Sequence, residues 1–191
     1  MDDYYEGSGG GCFGRGSTVL VARPGDALKN NDGFVRTDVT AVQPGDFVRV
    51  AGGGSAEVAC VARIAEAAGA TLCELPSGLR ITAKHPIRIE GQWQLPSARP
   101  EARTVQNADG FVVNFVLRGG DGRTYDHGHV LLIDGVECAA WGHGLKGEVI
   151  GDAFWGSEKV VDAVTAVSSD AGHVDLRGCV RNANGAVVGF A

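Results

Sequence analysis

The sequence predicts a mostly β fold with one short C-terminal helix. Glycine makes up 30 of the 191 residues, about twice its usual share of about 7%, and so much glycine favours turns over long helices. The apolar runs are short and are bounded by turn residues, as strands are. Helical spacing of apolar residues is convincing in one segment only. With 44% hydrophobic residues, the chain is expected to form one domain plus appendages.

Strands are predicted where an apolar or alternating run lies between turn residues. The first is expected from Cys12 to Ala22, and a strand buried on both faces is expected over residues 57–64. The other predicted strands cover residues 47–50, 71–75, 78–82, 111–117, 129–133 and 136–140, with short strands again from 173 to 190.

Turn residues join several of these strands into predicted hairpins. Pro44-Gly45 lies between residues 39–42 and the next alternating run, and the sequences Pro76-Ser77-Gly78 and Asp134-Gly135 join two further pairs. By contrast, residues 96–110 are rich in Pro, Arg, Asn and Gly, a composition that predicts a mobile polar loop.

The predicted helix covers residues 157–167. Ser157 can cap its N-terminus, and four valines have the spacing of one helix face: Val160, Val161, Val164 and Val167. An amphipathic helix of this kind packs its apolar face against a core.

Charge and hydropathy exclude two classes of partner. The net charge is −6, the pI is near 5.3 and the basic residues are scattered, so no nucleic-acid footprint is present. No apolar run approaches the ~20 residues that span a bilayer, so no membrane partner is expected. Asp2 and Asp3 follow Met1, the wrong charge for a secretory signal. These features predict an intracellular, cytoplasmic protein.

Cysteine spacing argues against a disulfide framework and against a zinc site. The five cysteines lie far apart with no Cys-x-x-Cys pair: Cys12, Cys60, Cys73, Cys138 and Cys179. We therefore expect free thiols, no metal and no cofactor. Cys138 lies in a predicted strand and is expected to be a core residue.

Cys12 is the first candidate for chemistry, because it follows the run Gly9-Gly10-Gly11. Glycine leaves the Gly11 carbonyl unshielded, so the thiol of Cys12 could attack it and convert the Gly11–Cys12 amide into a thioester. The alternative is that Cys12 is simply a small buried residue after a linker. Residues 1–11 are expected to be a flexible leader and residues 12–191 the domain.

Three features occur in an order that resembles a known module. They are Gly11-Cys12-Phe13, then Pro44-Gly45-Asp46-Phe47-Val48, then Thr82-x-x-His85. In this order they resemble the Hint domain, the self-processing module of hedgehog proteins and inteins. Downstream, the runs Asn114-Phe115-Val116-Leu117 and Gly142-His143-Gly144, with the segment 134–138 between them, resemble the eukaryotic subtype attached to von Willebrand factor A domains. The resemblance covers about residues 11–190.

The resemblance implies a horseshoe-like fold that brings Cys12 beside Thr82 and His85. An amide-to-thioester shift needs an acid to protonate the departing nitrogen, and His85 fits that role. During the same shift the carbonyl oxygen of Gly11 becomes negative, and Thr82 or a neighbouring backbone N–H could stabilise it. Asp46 belongs to the Pro-Gly-Asp pattern of the family, and we interpret it as structural.

A histidine-rich patch has a less defined role. Asp126-His127-Gly128-His129 and His143 could supply a second acid–base element or a metal site, or could serve turn polarity and hydrogen bonding. No two of these residues have the spacing of a zinc signature, so a metal-binding hydrolase is the weaker reading.

The chain also differs from inteins and from hedgehog proteins at residues that those proteins need for their second reaction step. Ala139-Ala140 stand where an intein has His-Asn, and Ala62-Arg63 lie near the place of the sterol-activating aspartate of hedgehog proteins. Splicing and sterol transfer are therefore not expected.

The expected function is cleavage or acyl transfer with the chain's own N-terminal flanking segment as substrate. A thiol, water or an amine would be the acyl acceptor, and a von Willebrand factor A domain could share the parent chain. The alternative is an inactive β domain of the same descent that serves as a structural or protein-interaction module.

Overall fold

A computed structural model describes residues 11–24, 33–66, 69–124, 128–169 and 171–190. Most of the predicted leader, residues 1–10, lies outside these ranges, as do Asp126 and His127 of the histidine-rich patch. Within the described residues the fold is mostly β with one α-helix, α1 (Glu158–Val167), so the predicted fold class is confirmed. No helix of this part of the chain is both long and apolar enough to span a membrane.

The strands of the described ranges follow the chain as β1 (Thr18–Ala22), β2 (Val35–Asp38), β3 (Phe47–Arg49), β4 (Ser55–Ala65), β5 (Thr71–Glu74), β6 (Arg80–Ile81), β7 (Ile87–Ile89), β8 (Gln92–Gln94), β9 (Arg103–Gln106), β10 (Phe111–Arg118), β11 (Val130–Ile133), β12 (Val136–Ala139), β13 (His173–Leu176), β14 (Cys179–Arg181) and β15 (Val187–Phe190). The main sheet has the order β10-β4-β3-β1-β11-β12-β7-β8, with β2 on β1 and β13 parallel to β4. Smaller sheets pair β6-β5-β9 and β14-β15.

The ladder of β4 and β10 separates two hydrophobic cores. Alternate residues of a strand face opposite sides of its sheet, and both sides of β10 are covered, so its residues 112–117 are all buried. Val113 and Phe115 pack into one core, which also holds Phe13, while Val112 and Val116 pack into the other, which holds Cys12 and the buried face of α1. The two neighbours Cys12 and Phe13 thus point into different cores.

The predicted strand 12–22 is broken in two, which corrects the sequence interpretation. Phe13 forms isolated bridges to Val113 and Ile81, and the chain then turns before β1 starts at Thr18, with Gly16 at φ 94°. Glycine adopts this left-handed conformation without strain. The break separates Cys12 and Phe13 from β1, an inner strand of the main sheet, and places Phe13 between β6 and the edge strand β10.

Two other predictions are wrong. Residues Val39–Ala41 form a 3-10 helix instead of one arm of a hairpin, because the Asp38 carboxylate accepts from the N–H of Thr40 at 2.8 Å and caps a helical turn. The polar segment 96–110 is not a loop throughout, since it contains a 3-10 helix at Pro96–Ala98 and the strand β9, which pairs with β5.

Three local predictions are confirmed. The turn at Pro76-Ser77-Gly78 joins β5 to β6, and Asp134-Gly135 joins β11 to β12 with both residues at positive φ, as a two-residue hairpin turn requires. Ser157 caps α1, whose buried face consists of Val160, Val161 and Val164. Val167, which was predicted on that face, is 51% exposed at the end of the helix.

Candidate active site

Residues 11–13 are held between β10 and the β6–Thr82 segment by backbone hydrogen bonds. The Phe13 N–H donates to the carbonyl of Val113 at 2.8 Å, and the Val113 N–H donates back to Phe13 at 2.9 Å. On the other side, the Thr82 N–H donates to the carbonyl of Cys12 at 2.9 Å. Cys12 is fully buried at 0% exposure, so its thiol is shielded from solvent.

Side chains contact both ends of the Gly11–Cys12 peptide group. The Cys12 N–H donates to the Thr82 hydroxyl oxygen at 2.8 Å. The Gly11 carbonyl oxygen accepts from the side-chain amide of Asn114. Because a peptide bond breaks between its carbonyl carbon and its nitrogen, these two contacts lie at the two atoms whose charge changes most during an acyl shift.

Asn114 is fixed by a second hydrogen bond. Its Oδ1 accepts from the N–H of Phe115 at 2.7 Å, so its Nδ2 is the atom that donates to Gly11. The side chain is 1% exposed, and a donor held in a dry site stabilises a negative oxygen more strongly than one in water.

Gly11 has the backbone conformation and the space that only glycine tolerates. Its φ is +33°, and a Cβ at this position would lie 2.8 Å from Cγ and 3.0 Å from Nδ1 of His85. The imidazole of His85 therefore packs directly against the residue whose carbonyl is to be attacked, and any side chain at position 11 would displace it.

His85 is buried and has one ring nitrogen engaged. Its Nε2 lies 2.8 Å from the carbonyl oxygen of Ala139, and since a carbonyl only accepts, Nε2 carries the proton in the neutral ring. The backbone of Cys12 lies near the ring, yet among the described residues no group has hydrogen-bonding geometry to Nδ1, which is also buried. The lone pair of Nδ1 is thus available on the side of the ring that faces Gly11.

Burial sets the protonation states of the thiol and the imidazole. Burial lowers the pKa of His85 to about 4, and the nearby His143 acts in the same direction. The Ala139 carbonyl and the Cys12 backbone act in the opposite direction and raise this pKa. Burial also raises the pKa of the Cys12 thiol well above its usual value, helped by Glu66 and Cys179. At neutral pH the site therefore holds an uncharged thiol and an uncharged imidazole, and the imidazole can accept a proton.

A second histidine lies close to the first. His143 is 1% exposed, its Nδ1 accepts from the N–H of Leu145 at 2.8 Å, and burial lowers its pKa to about 4. His143 and His85 both line a cavity of about 10 Å³, together with Gly11, Pro86, Asn114, Ala139, Ala140, Trp141 and Trp155.

The structure brings some of the predicted site residues together and leaves others apart. Cys12, Thr82 and His85 meet at the Gly11–Cys12 bond, and His143 lies at the adjoining cavity. His129 precedes β11, is half-buried and is not among the residues that line this cavity. Within the described ranges, no group of His, Cys, Asp and Glu side chains is arranged to hold a metal ion.

Thr82 has a different contact from the one expected. We predicted Thr82 or a backbone N–H as the group beside the Gly11 oxygen, whereas the side-chain donor at that oxygen is Asn114 and the Thr82 hydroxyl accepts from the Cys12 nitrogen. One sequence signal could have indicated Asn114: it is the one polar residue in the run Phe111–Leu117, which has the pattern of a buried strand. A polar side chain in such a strand needs a hydrogen-bond partner inside the protein.

Cys138 and Asp46 have the structural roles that were predicted for them. Cys138 is 0% exposed and packs in the core that also contains Phe13. The Asp46 carboxylate accepts from the N–H of Gln43 at 2.9 Å and so closes the Pro44-Gly45 turn. All five cysteines lie in the described ranges, and none of them forms a disulfide bond there.

Comparison with known proteins identifies the family. No curated protein matches the chain. A family model described as Vint, a Hint domain, matches residues 11–189, and this match starts at the residue that supplies the carbonyl of the candidate bond. Since it covers nearly all of the sequence, and since the fold is mostly β as a Hint domain requires, the chain belongs to the Vint family of Hint domains.

Proposed function

We propose that this domain cleaves its own chain at the Gly11–Cys12 bond through an N-to-S acyl shift. The observation that carries the proposal is that one peptide group has a donor at its oxygen, an acceptor at its nitrogen, and a buried thiol and a neutral imidazole beside it. A structural domain has no need of this combination at a single bond.

The first step generates the nucleophile. The Cys12 thiol is protonated because burial raises its pKa, so a base must remove its proton as the sulfur attacks. His85 is neutral, and its Nδ1 has no hydrogen-bond partner among the described residues. His85 therefore takes the thiol proton while Sγ bonds to the carbonyl carbon of Gly11.

The same attack moves the electron pair of the carbonyl double bond onto the Gly11 oxygen. As the carbonyl carbon becomes tetrahedral, its oxygen becomes negative, and the amide of Asn114 already donates to it. A donor that is in place before the reaction costs no reorganisation when the charge develops, which is the basis of an oxyanion hole.

The second step releases the amine. The bond between the Gly11 carbon and the Cys12 nitrogen breaks, and Nδ1 of His85 returns its proton to that nitrogen. Thr82 accepts from the N–H of the same nitrogen at 2.8 Å, so it orients the nitrogen while its lone pair becomes available. The products are a thioester on Cys12 and a free α-amine at the same residue.

The thioester is then lost by transfer to an acceptor without ligation. Ala139 offers only its backbone to the site, through its carbonyl contact with His85. Asn182 and Asn184 lie in the exposed turn between β14 and β15, where the Asn182 side chain accepts from the N–H groups of Asn184 and Ala186. No asparagine in the described ranges is placed to cleave a C-terminal bond.

In this proposal the N-terminal flanking segment is the substrate, and a von Willebrand factor A domain is the candidate neighbour in the parent chain.

Reporter proteins fused to both ends test this function. We expect two products, an N-terminal reporter that ends at Gly11 and a domain that begins at Cys12 and remains joined to the C-terminal reporter. Mass spectrometry of both fragments gives the cleavage site. A product with the mass of the two joined reporters would contradict cleavage without ligation, and a Gly11–Cys12 bond that stays intact would favour a purely structural domain.

His85 and Thr82 are distinguished by their substitutions. We expect His85→Ala to slow cleavage by about 10²-fold or more, because a positioned acid–base group contributes that much, whereas Thr82→Ser retains the hydroxyl and has a small effect.

The pH dependence of the parent protein gives a further prediction. Its cleavage rate should stay level from pH 7 down to about pH 5 and fall near pH 4, where the neutral base form of His85 is lost.

The matched control for His85 is His173→Ala, which removes an exposed histidine whose ring contacts Gln43. Circular dichroism and a time course on gels separate loss of folding from loss of rate. If His85→Ala folds like the parent and cleaves as fast as the His173 variant, then His85 has no part in the mechanism.

A further inference from the structure

The cavity beside Gly11 is the size of one small molecule. Its volume is about 10 Å³, close to the ~10–15 Å³ that one water molecule needs. Its apolar lining includes the indoles of Trp141 and Trp155 and the small side chain of Ala140, which is 1% exposed.

One of the residues that line this cavity has an unsatisfied polar atom. His85 is 1% exposed, lines the cavity, and its Nδ1 is buried with no hydrogen-bond partner among the described residues. Buried polar atoms are nearly always hydrogen-bonded, and water commonly fills the gap when no protein group does. Gly11, Asn114 and His143 add further polar groups to the lining, so the site can hold water by more than one bond.

We propose that this cavity is the acyl-acceptor site and that the acceptor is water, so that the N-terminal segment leaves as a free carboxylic acid. This inference rests on the proposed acyl shift, and it narrows the acceptor from a thiol, water or an amine to water.

The hydrolysis balances with the groups already in the site. Water attacks the carbonyl carbon of the Gly11 thioester while Nδ1 of His85 takes one of its protons, and Asn114 donates to the oxygen that becomes negative. The carbon–sulfur bond then breaks, and the Cys12 thiolate recovers the proton from His85. The Gly11 carboxyl group carries the second oxygen, and Cys12 is left with a free amine and a free thiol.

The size of the cavity makes a prediction about larger acceptors. A pocket can favour the smaller of two substrates by about tenfold or more when they differ by a single group. A bulky thiol such as 2-mercaptoethanesulfonate should therefore compete poorly with water in the parent protein. Trp155→Phe reduces one wall, so it should raise the fraction of fragment captured by that thiol by about tenfold.

The reverse change should block water without blocking the acyl shift. Ala140→Val adds bulk to the wall of a cavity of about 10 Å³ and should slow release by about tenfold or more. The thioester should then accumulate, and denaturing this variant in hydroxylamine should give the hydroxamate of Gly11.

The experiment uses the full chain with an N-terminal reporter in water labelled with heavy oxygen, with and without 2-mercaptoethanesulfonate. We expect one heavy oxygen in the Gly11 carboxyl group of the parent product and a thiol adduct that increases in Trp155→Phe.

Capture by the thiol as fast as hydrolysis in the parent would overturn the water proposal and leave the acyl shift standing. Absence of release, adduct and hydroxamate in the parent would overturn both. If Ala140→Val does not fold, Trp155→Phe still decides, because equal thiol capture in it and in the parent would contradict a size-selective cavity.

Discussion

Cys12→Ala is expected to abolish release of the N-terminal segment. The sulfur of Cys12 is the nucleophile of the proposed acyl shift, and without it the Gly11 carbonyl has no protein group to receive the acyl chain. His85, Thr82 and Asn114 all remain in this variant. Fusion of a reporter to the N-terminus, followed by mass spectrometry over time, measures the loss.

The matched control is Cys138→Ala. Both cysteines are 0% exposed, but Cys138 packs in the core on the other side of the β4–β10 ladder and is not among the residues that line the cavity at Gly11. Each substitution should lower the free energy of unfolding by about 1 kcal/mol, the usual cost of a buried deletion of this size, yet only Cys12→Ala should stop cleavage. Cleavage of the alanine variant at the same bond and at the parent rate would remove Cys12 from the mechanism.

Local chemistry accounts for the parts of the fold that the sequence predicts well. Asp134 and Gly135 both adopt positive φ, a conformation that their residue types tolerate within a two-residue turn. Ser157 caps α1 through contacts within a few residues of itself. These structures depend on neighbours in the chain, so the pattern of residues contains the information.

Long-range contacts account for what the sequence does not predict. Strand β9 has little apolar alternation and is mostly exposed, and it forms a strand because β5 offers it a free edge. An ion pair between Arg103 and Glu74 at 2.6 Å adds to this pairing, although exposed pairs stabilise little. Strand propensity alone cannot show an edge that forms only in the folded protein.

Some residues of the candidate site can be predicted from the sequence, and others depend on long-range contacts. Cys12 and His85 are detectable as reactive residue types in an ordered set of motifs, and the fold brings both to one bond. Asn114 is separated from Gly11 by 103 positions in the sequence, and the pattern around it is that of a buried strand. Its function follows only from the way β10 lies against residues 11–13.

Asn114→Ala is expected to reduce the rate of cleavage by about 10²–10³-fold, the cost of losing one oxyanion-hole donor. The amide of Asn114 donates to the Gly11 oxygen from a site that is 1% exposed, so water cannot easily replace it. The substitution also leaves the N–H of Phe115 without its acceptor, which should lower the free energy of unfolding by about 1–3 kcal/mol. The rate must therefore be measured on folded protein, with unfolding followed separately.

Asn107→Ala separates the two effects of that substitution. Asn107 is 9% exposed and its side-chain amide donates to the carbonyl of Phe111 at 3.1 Å, so it too is a buried asparagine bound to a backbone oxygen, but it contacts the first residue of β10 and not Gly11. We expect Asn107→Ala to lose stability and to cleave at the parent rate. If both asparagine variants slow cleavage to the same extent, the loss reflects a weakened β10 and Asn114 is not an oxyanion donor. If Asn114→Ala alone is slow, while its unfolding midpoint matches that of Asn107→Ala, then the hydrogen bond to Gly11 acts in the transition state.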